Sequence, residues 1–285
     1  MPAPATARRT RPARTLAAVA TALALAGCSG GDDGAGAGDP ASSSALAGDP
    51  APVPEPPAPP EPGACYRLGF DEALAPTTSS TPVGCSRPHS AETYAVGELD
   101  SVVDGHLLAV DSDHVQEQVA GRCPERLPRF LGGSQDQLRL TMLRAVWFTP
   151  TVEESDAGAD WFRCDVIAVA TDGRLARLTE PARGLLADPE RRAAYGMCAT
   201  AEPGTSDFRR VICSAEHAWR AVATVPFEDE SYPGPDEASA RGETPCEDAG
   251  RAAAEDPLDF RWGYEWPTAE QWAAGQTWGL CWVPD

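Results

Sequence analysis

Four cysteines occur twice in the same order along this 285-residue chain, and that recurrence is the strongest constraint on its fold. The segment 150–164 aligns without a gap to 267–281, matching Pro150 with Pro267, Thr151 with Thr268, Glu153 with Glu270, Ala157 with Ala274, Gly158 with Gly275, Trp161 with Trp278 and Cys164 with Cys281. Upstream, 83–89 matches 211–217, and 63–65 matches 196–198. Each copy thus carries four cysteines, with one histidine (His89, His217) four residues after the second cysteine. An internal repeat sets the domain count before any fold is considered. Here it predicts two related modules, over 63–182 and 192–285.

Setting Cys28 aside, eight cysteines remain, four to a module: Cys65, Cys85, Cys123 and Cys164, then Cys198, Cys213, Cys246 and Cys281. An even number in an exported chain reads as disulfides, and four cysteines allow three connectivities. The pairing expected is Cys65–Cys85 with Cys123–Cys164, and Cys198–Cys213 with Cys246–Cys281. The first pair of each module would join neighbouring strands. The second would pin a helix to the last strand. Each closed loop contributes about 3 kcal/mol by restricting the unfolded chain. Modules of this size have thin cores, so that contribution counts.

Residues 1–27 read as an export leader. Arg8, Arg9, Arg11 and Arg14 precede a short Ala/Leu run over 16–25, too short to span a bilayer. Leu25-Ala26-Gly27-Cys28 resembles the lipobox of bacterial lipoproteins, which makes Cys28 the expected lipidation site and the membrane contact a lipid anchor only. Residues 28–62 read as a linker, Gly/Asp/Ala/Ser-rich and then Pro-rich from Pro54, without apolar periodicity. No run of eighteen apolar residues comes after Cys28. The expected location is the extracytoplasmic face of the cell membrane.

Charge narrows the partners. The chain has 23 basic and 43 acidic residues, and every basic residue is arginine. A net charge of −20 repels nucleic acid and anionic headgroups. The Arg-only, Ala- and Pro-rich composition points to a GC-rich bacterial genome.

Periodicity places short strands at 64–68, 82–85 and 93–99 in the first module. A helix starting near Asp111-Ser112-Asp113 would carry Val115, Val119 and Cys123 on one face, with Pro124 and Pro128 interrupting the chain beyond Cys123. Long strands are expected at 138–148 and 164–170. In the second module, strands are expected at 210–214, 218–225 and 280–283. A helix is expected to begin at the Thr244 cap, with Pro245 at its first position and Glu247 at its third, and to run to about 255. A short helix at 189–195 would connect the modules. The fold class is α+β: two tandem disulfide-stapled modules, each a small, mostly antiparallel sheet with one main helix.

His89 and His217 are the most tempting chemical groups, because the repeat preserves the C-x₃-H spacing. A zinc site or a Cys–His nucleophile would need free thiolates, which an oxidising compartment disfavours. The plainer reading is a ring that caps a turn by bonding backbone; the other is that His89 and His217 bind a ligand or partner at a pocket. Tryptophans crowd the second module, where Trp262, Trp266 and Trp272 offer a partner surface; Trp272 stands where the first copy has Ser155. Trp161 and Trp278 read as core against a disulfide. The acid pairs Glu153/Glu154 and Glu228/Asp229/Glu230 read as solvated loop. Esterase, zinc-protease and phosphate-loop motifs are missing, Ser–Lys chemistry lacks its lysine, and Cys-x-x-Cys does not occur. No catalytic residue, metal or cofactor is therefore assigned.

The order Gly63-x-Cys65, Val83-x-Cys85-Ser86-x-Pro88-His89, a central cysteine near a helix, then Pro…Trp…Gly…Cys, resembles the septum formation domain of actinobacterial exported proteins and lipoproteins. The resemblance spans about 63–285. The first module keeps Pro88-His89 and places Tyr94 at the next aromatic position, but has Ser155 where the family carries Trp. The second has Pro267, Trp272, Gly275 and Cys281, but Glu216 replaces the proline before His217. The resemblance implies a non-enzymatic envelope binding or scaffold role at septum formation or cell division, with an envelope or division protein or a wall component as partner. The alternatives are a structural or stress-protective lipoprotein without a specific partner, and a Cys/His-dependent enzyme or metal-binding protein.

Overall fold

Eight strands and three helices are expected around the cysteine repeat, and further elements fill the gaps between them. The computed structural model describes residues 56–285. The leader, Cys28 and the linker as far as residue 55 lie outside the described residues. In chain order the first module comprises β1 (Cys65–Tyr66), α1 (Phe70–Ala73), β2 (Ala91–Glu98), the hairpin of β3 (Val102–Val103) and β4 (His106–Leu107), α2 (Asp113–Leu131), α3 (Gln135–Arg139), β5 (Leu143–Phe148), α4 (Val152–Asp156), β6 (Trp161–Thr171) and β7 (Arg174–Leu175). A 3₁₀ turn (Leu185–Ala187) and α5 (Pro189–Ala194) connect it to the second module. That module comprises β8 (Met197–Ala199), β9 (Arg210–Ile212), β10 (Trp219–Pro226), α6 (Pro235–Arg241), α7 (Glu243–Ala253), β11 (Gly263–Glu265), α8 (Ala269–Ala273) and β12 (Trp278–Pro284).

The repeat survives in the topology. The first sheet has the strand order β1-β2-β6-β5, and the second has β8-β10-β12-β11, with every pairing antiparallel. Strand β9 adds to β8 in the second sheet; in the first, the expected strand at 82–85 shrinks to one bridge, Val83 to Cys65. A bulge interrupts β2 between Thr93 and Ala95, and another interrupts β10 between Ala221 and Ala223. In both modules the residue just past the bulge pairs with the last cysteine, Ala95 with Cys164 and Ala223 with Cys281. Bulges twist a strand, so the matched irregularity gives both sheets the same bend.

The four disulfides join Cys65 to Cys85, Cys123 to Cys164, Cys198 to Cys213 and Cys246 to Cys281, the pairs expected from the repeat. Cys123 on α2 and Cys246 on α7 tie each main helix to the closing strand, β6 or β12. Replacing Cys123 and Cys164 together by alanine opens a loop with a sequence separation of 41. The expected cost is about 3–4 kcal/mol, read as a lower urea midpoint.

Three expectations are corrected. Pro124 and Pro128 lie inside α2, which continues to Leu131. An interior proline costs about 3 kcal/mol, through a lost hydrogen bond and a clash with the preceding turn. Burial of Val115, Val119, Cys123, Leu127 and Leu131 along one stripe outweighs it. The Tyr94 hydroxyl supports the same turn by donating to the Cys123 carbonyl at 2.6 Å. The strand expected over 138–148 is split: α3 holds Leu138, and the strand starts only at Leu143. Ser134 and Gln137 form a reciprocal capping box that nucleates α3. Helix α7 begins at Glu243, so Thr244 does not cap it. Gly242, between α6 and α7, lies so close to the Tyr264 ring that any side chain there would collide with it.

The modules are joined by more than their connector. Met142 N–H donates to the Tyr195 carbonyl at 2.9 Å, and Met197 N–H donates to the Leu140 carbonyl at 2.8 Å. A bridge between Thr141 and Gly196 lies between these two bonds. Around this seam one core cluster draws Leu127, Leu131, Leu143 and Val166 from the first module and Met197, Ile212, Trp219, Leu280 and Trp282 from the second. Residues 56–285 accordingly belong to one compact unit.

Candidate functional site

The repeated histidines sit where a turn leaves each second cysteine. His89 Nδ1 lies 2.9 Å from the Arg87 carbonyl, and His217 Nδ1 lies 2.7 Å from the Ala215 carbonyl. A carbonyl only accepts, so Nδ1 donates in both rings; in His217 the other nitrogen also faces an acceptor, Asp285 Oδ2. Around each ring a second and third group gather: Cys65 and Glu92 with His89, Cys198 and Asp285 with His217, all ligand atoms within 4.8 Å of one another. The sulfurs belong to the Cys65–Cys85 and Cys198–Cys213 disulfides. That leaves each cluster one histidine and one carboxylate, short of the four ligands a structural zinc takes. The carboxylates are also engaged. Glu92 accepts the Ala182 N–H at 2.5 Å, and Asp285 accepts from Arg220 at 2.6 and 2.9 Å and meets His217 Nε2 at 2.7 Å. Arg220 first, and then His217, hold the Asp285 carboxyl below the usual carboxylate range. His89 is only 1% exposed, so it cannot itself meet a large partner.

The two modules differ in polarity beside the last cysteine. In the first, Arg163 and Asp165 flank Cys164 on β6 and are buried. Arg163 Nη2 lies 3.2 Å from Asp165 Oδ2, an ionic approach without an aligned hydrogen bond. Thr93 donates to Asp165 Oδ1 at 2.6 Å, and the guanidinium stacks 3.8 Å above the Tyr66 ring and 4.6 Å from that of Phe148. Burial pushes the Asp165 carboxyl up to about 6, with Arg163 pulling the other way. The matching residues of the second module are Leu280, Trp282 and Ala221, all buried and apolar. This network was not singled out from sequence, although two opposite charges in an otherwise apolar strand are its signal. It is sealed from solvent, so its role is structural.

The Pro-Thr segments repeat a local structure as well as a sequence. Thr151 with Glu154, and Thr268 with Gln271, form reciprocal capping boxes that start α4 and α8. Gly158 and Gly275 come next with φ of 102° and 91°, the left-handed region that favours glycine. Glu153 and Glu154, expected in a loop, therefore lie on a helix, and Glu154 is engaged in its cap.

A family model described as septum formation matches the chain twice, over residues 57–155 and over 143–281. The chain belongs to the septum formation family. No curated protein and no solved structure matches it.

Within the second septum formation module the tryptophans divide. Trp262 is half-buried where α7 approaches closely at Gly250. Trp272, on α8, is half-buried between Phe227 at 5.7 Å and Tyr232 at 5.8 Å. Trp266 is 38% exposed and leans on Tyr264 at 5.8 Å. Burial pushes the Tyr264 phenol up to about 12. Phe227, Tyr232 and Tyr264 support these tryptophans in two separate ring groups, one around Trp272 and one around Trp266. Trp161 and Trp278, expected in the core, are only half-buried, and Trp278 faces the seam between the septum formation modules.

Proposed function

We propose that this protein is a non-catalytic binding or scaffold protein of the cell envelope that acts at the division septum. It is held at the extracytoplasmic face of the membrane by lipid on Cys28, with the Pro-rich linker as a tether. Membership of the septum formation family supports the septal role. The lipobox-like Leu25-Ala26-Gly27-Cys28 supports the anchor. The observation that carries the non-catalytic reading is the commitment of all eight module cysteines to disulfides, with both C-x₃-H histidines bonded to backbone carbonyls. A Cys–His nucleophile or a thiolate metal site needs what those bonds remove.

The partner, a division protein or a wall component, meets the exposed Trp266, which is backed by Tyr264, and the half-buried Trp272, which is backed by Phe227 and Tyr232. Exposed aromatic anchors backed by other rings carry a large share of binding energy. A C-terminal fluorescent fusion imaged through a division cycle tests this reading. The expected result is enrichment at the septum, lost on Trp266→Ala while the far-UV circular dichroism of the purified variant is unchanged. Cys28→Ala is expected to release the protein from the membrane. A uniform envelope signal from an intact wild-type fusion would contradict the septal role.

A further inference from the structure

A cleft of about 680 Å³ opens along the seam between the modules. Its walls are Leu127 of α2, Leu138 and Arg139 of α3, Leu143 and Arg144 of β5, Met197, Arg210, and the α8–β12 turn with Gln276 and Trp278. Neither module alone encloses it. Three guanidinium groups converge there, although the chain as a whole carries a net charge of −20.

The three arginines are differently committed. Arg210 pairs with Glu265 at 2.8 Å. Arg139 reaches Asp136 at 3.1 Å through Nη1, stacks 4.3 Å from the Trp278 ring, and leaves its buried Nε without a partner. Arg144 makes no ion pair among the described residues; its Nη1 donates only to the carbonyls of Thr141 and Leu143, at 2.8 and 2.7 Å. Burial, and then the nearby Arg210, lower the Arg144 guanidinium to about 10. Cationic charge brought together without a full set of counter-ions stabilises a bound anion. Glu125 also borders the cleft, so its lining carries three arginines against one carboxylate. An apolar wall of Leu127, Leu138, Leu143, Met197, Trp278 and Leu280 lies beside them, with the amides of Gln135, Gln271 and Gln276 also on the lining.

We propose that this cleft binds the carboxylate of a short peptide: Arg144 and Arg139 take the carboxylate and the apolar wall takes the adjoining side chain. A planar fork matches a carboxylate in two parallel hydrogen bonds, and an apolar wall selects a ligand with a hydrophobic residue beside the charge. Such a carboxylate could end a protein chain or a wall-derived peptide. The proposal extends the binding reading by naming a ligand, and it stands on the cleft whether or not the protein gathers at septa.

The test is titration of the full chain with acetyl-Leu-Ala as the free acid, as its C-terminal amide, and as acetyl-Leu-D-Ala, monitored by tryptophan fluorescence and calorimetry. The free acid is expected to bind saturably, and the amide at least tenfold more weakly. Arg144→Gln is expected to weaken the acid about tenfold or more, and Arg144→Lys to fall between. Arg139→Gln, a second contact, carries the test if Arg144→Gln fails to fold, while Arg67→Gln, outside the cleft, should leave binding unchanged. Preference for the L form identifies a protein terminus as the source, and preference for the D form a wall peptide; either supports the proposal. Equal binding of acid and amide, no binding at millimolar peptide, or unchanged affinity in both cleft variants would overturn it. Displacement of the peptide by an equal concentration of inorganic phosphate would overturn it too.

Discussion

Residues 192–285 produced without the first module are expected not to fold. Trp219, Trp282, Met197, Ile212 and Leu280 share one buried cluster with Leu127, Leu131, Leu143 and Val166 of the other module. A large apolar side chain contributes about 1.5–3 kcal/mol when fully buried. If half the burial of those five residues depends on the partner module, its loss is on the order of 5 kcal/mol. That compares with a total stability of about 5–15 kcal/mol for a whole domain. The seam hydrogen bonds from Met142 and Met197 would be lost as well. Both disulfides of the second module are internal to it, so the isolated piece would still be cross-linked. The expected observation is therefore an oxidised polypeptide with weak near-ultraviolet dichroism and no cooperative transition. A sharp unfolding transition in the isolated module would show that the shared core contributes little.

Arg163→Leu is expected to destabilise the protein by about 3–5 kcal/mol at about pH 7.5, because it leaves the Asp165 carboxylate buried without its counter-charge. The size of the effect should depend on pH, and its sign is set by Asp165. The folded value, about 6, lies above the roughly 3.9 of an unfolded aspartate, so the folded state holds this proton more tightly. The contribution to stability is fully present below about pH 4 and is lost as the pH rises through about 6. Removing Arg163 takes away the larger of the two influences that lower the Asp165 value, the other being the Thr93 hydrogen bond, which moves the loss to higher pH. The variant should therefore approach wild-type stability at about pH 5 and fall furthest behind it at about pH 7.5, in urea titrations at the two pH values. Asp165→Asn should flatten the profile between about pH 4 and 7. Leucine is also what the second module carries at this place, as Leu280, where its strand neighbour is Trp282 and no carboxylate needs a partner. A cost independent of pH would mean that Arg163 acts through packing on Tyr66 and Phe148 alone.

Most of the architecture could be read from the cysteines. Two copies of one order implied two related modules, and the spacing implied the disulfide-linked helix and closing strand of each. Reading failed where a local signal competed with a stronger or less obvious one. Pro124 and Pro128 speak against a helix, but a stripe of five buried side chains overrides them. Ser134, Thr151 and Thr268 each start a short helix through a Gln or Glu three residues on. That pattern is visible in the sequence, yet it is easily passed over inside an apparent strand or loop. The matched bulges of β2 and β10 have no marker in either strand. The candidate site was less legible. His89 and His217 advertised themselves by spacing but are held by backbone and disulfides. Arg139 and Arg144 are neighbours in the first module, but Arg210 comes from the second and joins them only because the two modules close on each other. Nothing within a single repeat encodes a contact between repeats.

The claim on which the rest depends is that the two modules form one cooperative body, since the shared core and the cleft exist only if they do. Equilibrium urea unfolding of residues 56–285, monitored at once by far-ultraviolet dichroism and tryptophan fluorescence, tests it most directly. Six of the eight tryptophans (Trp219, Trp262, Trp266, Trp272, Trp278 and Trp282) lie in the second module, so fluorescence weights that half, while dichroism samples both. The account predicts a single transition with coincident midpoints. Two separated midpoints, with fluorescence and dichroism changing at different urea concentrations, would contradict it.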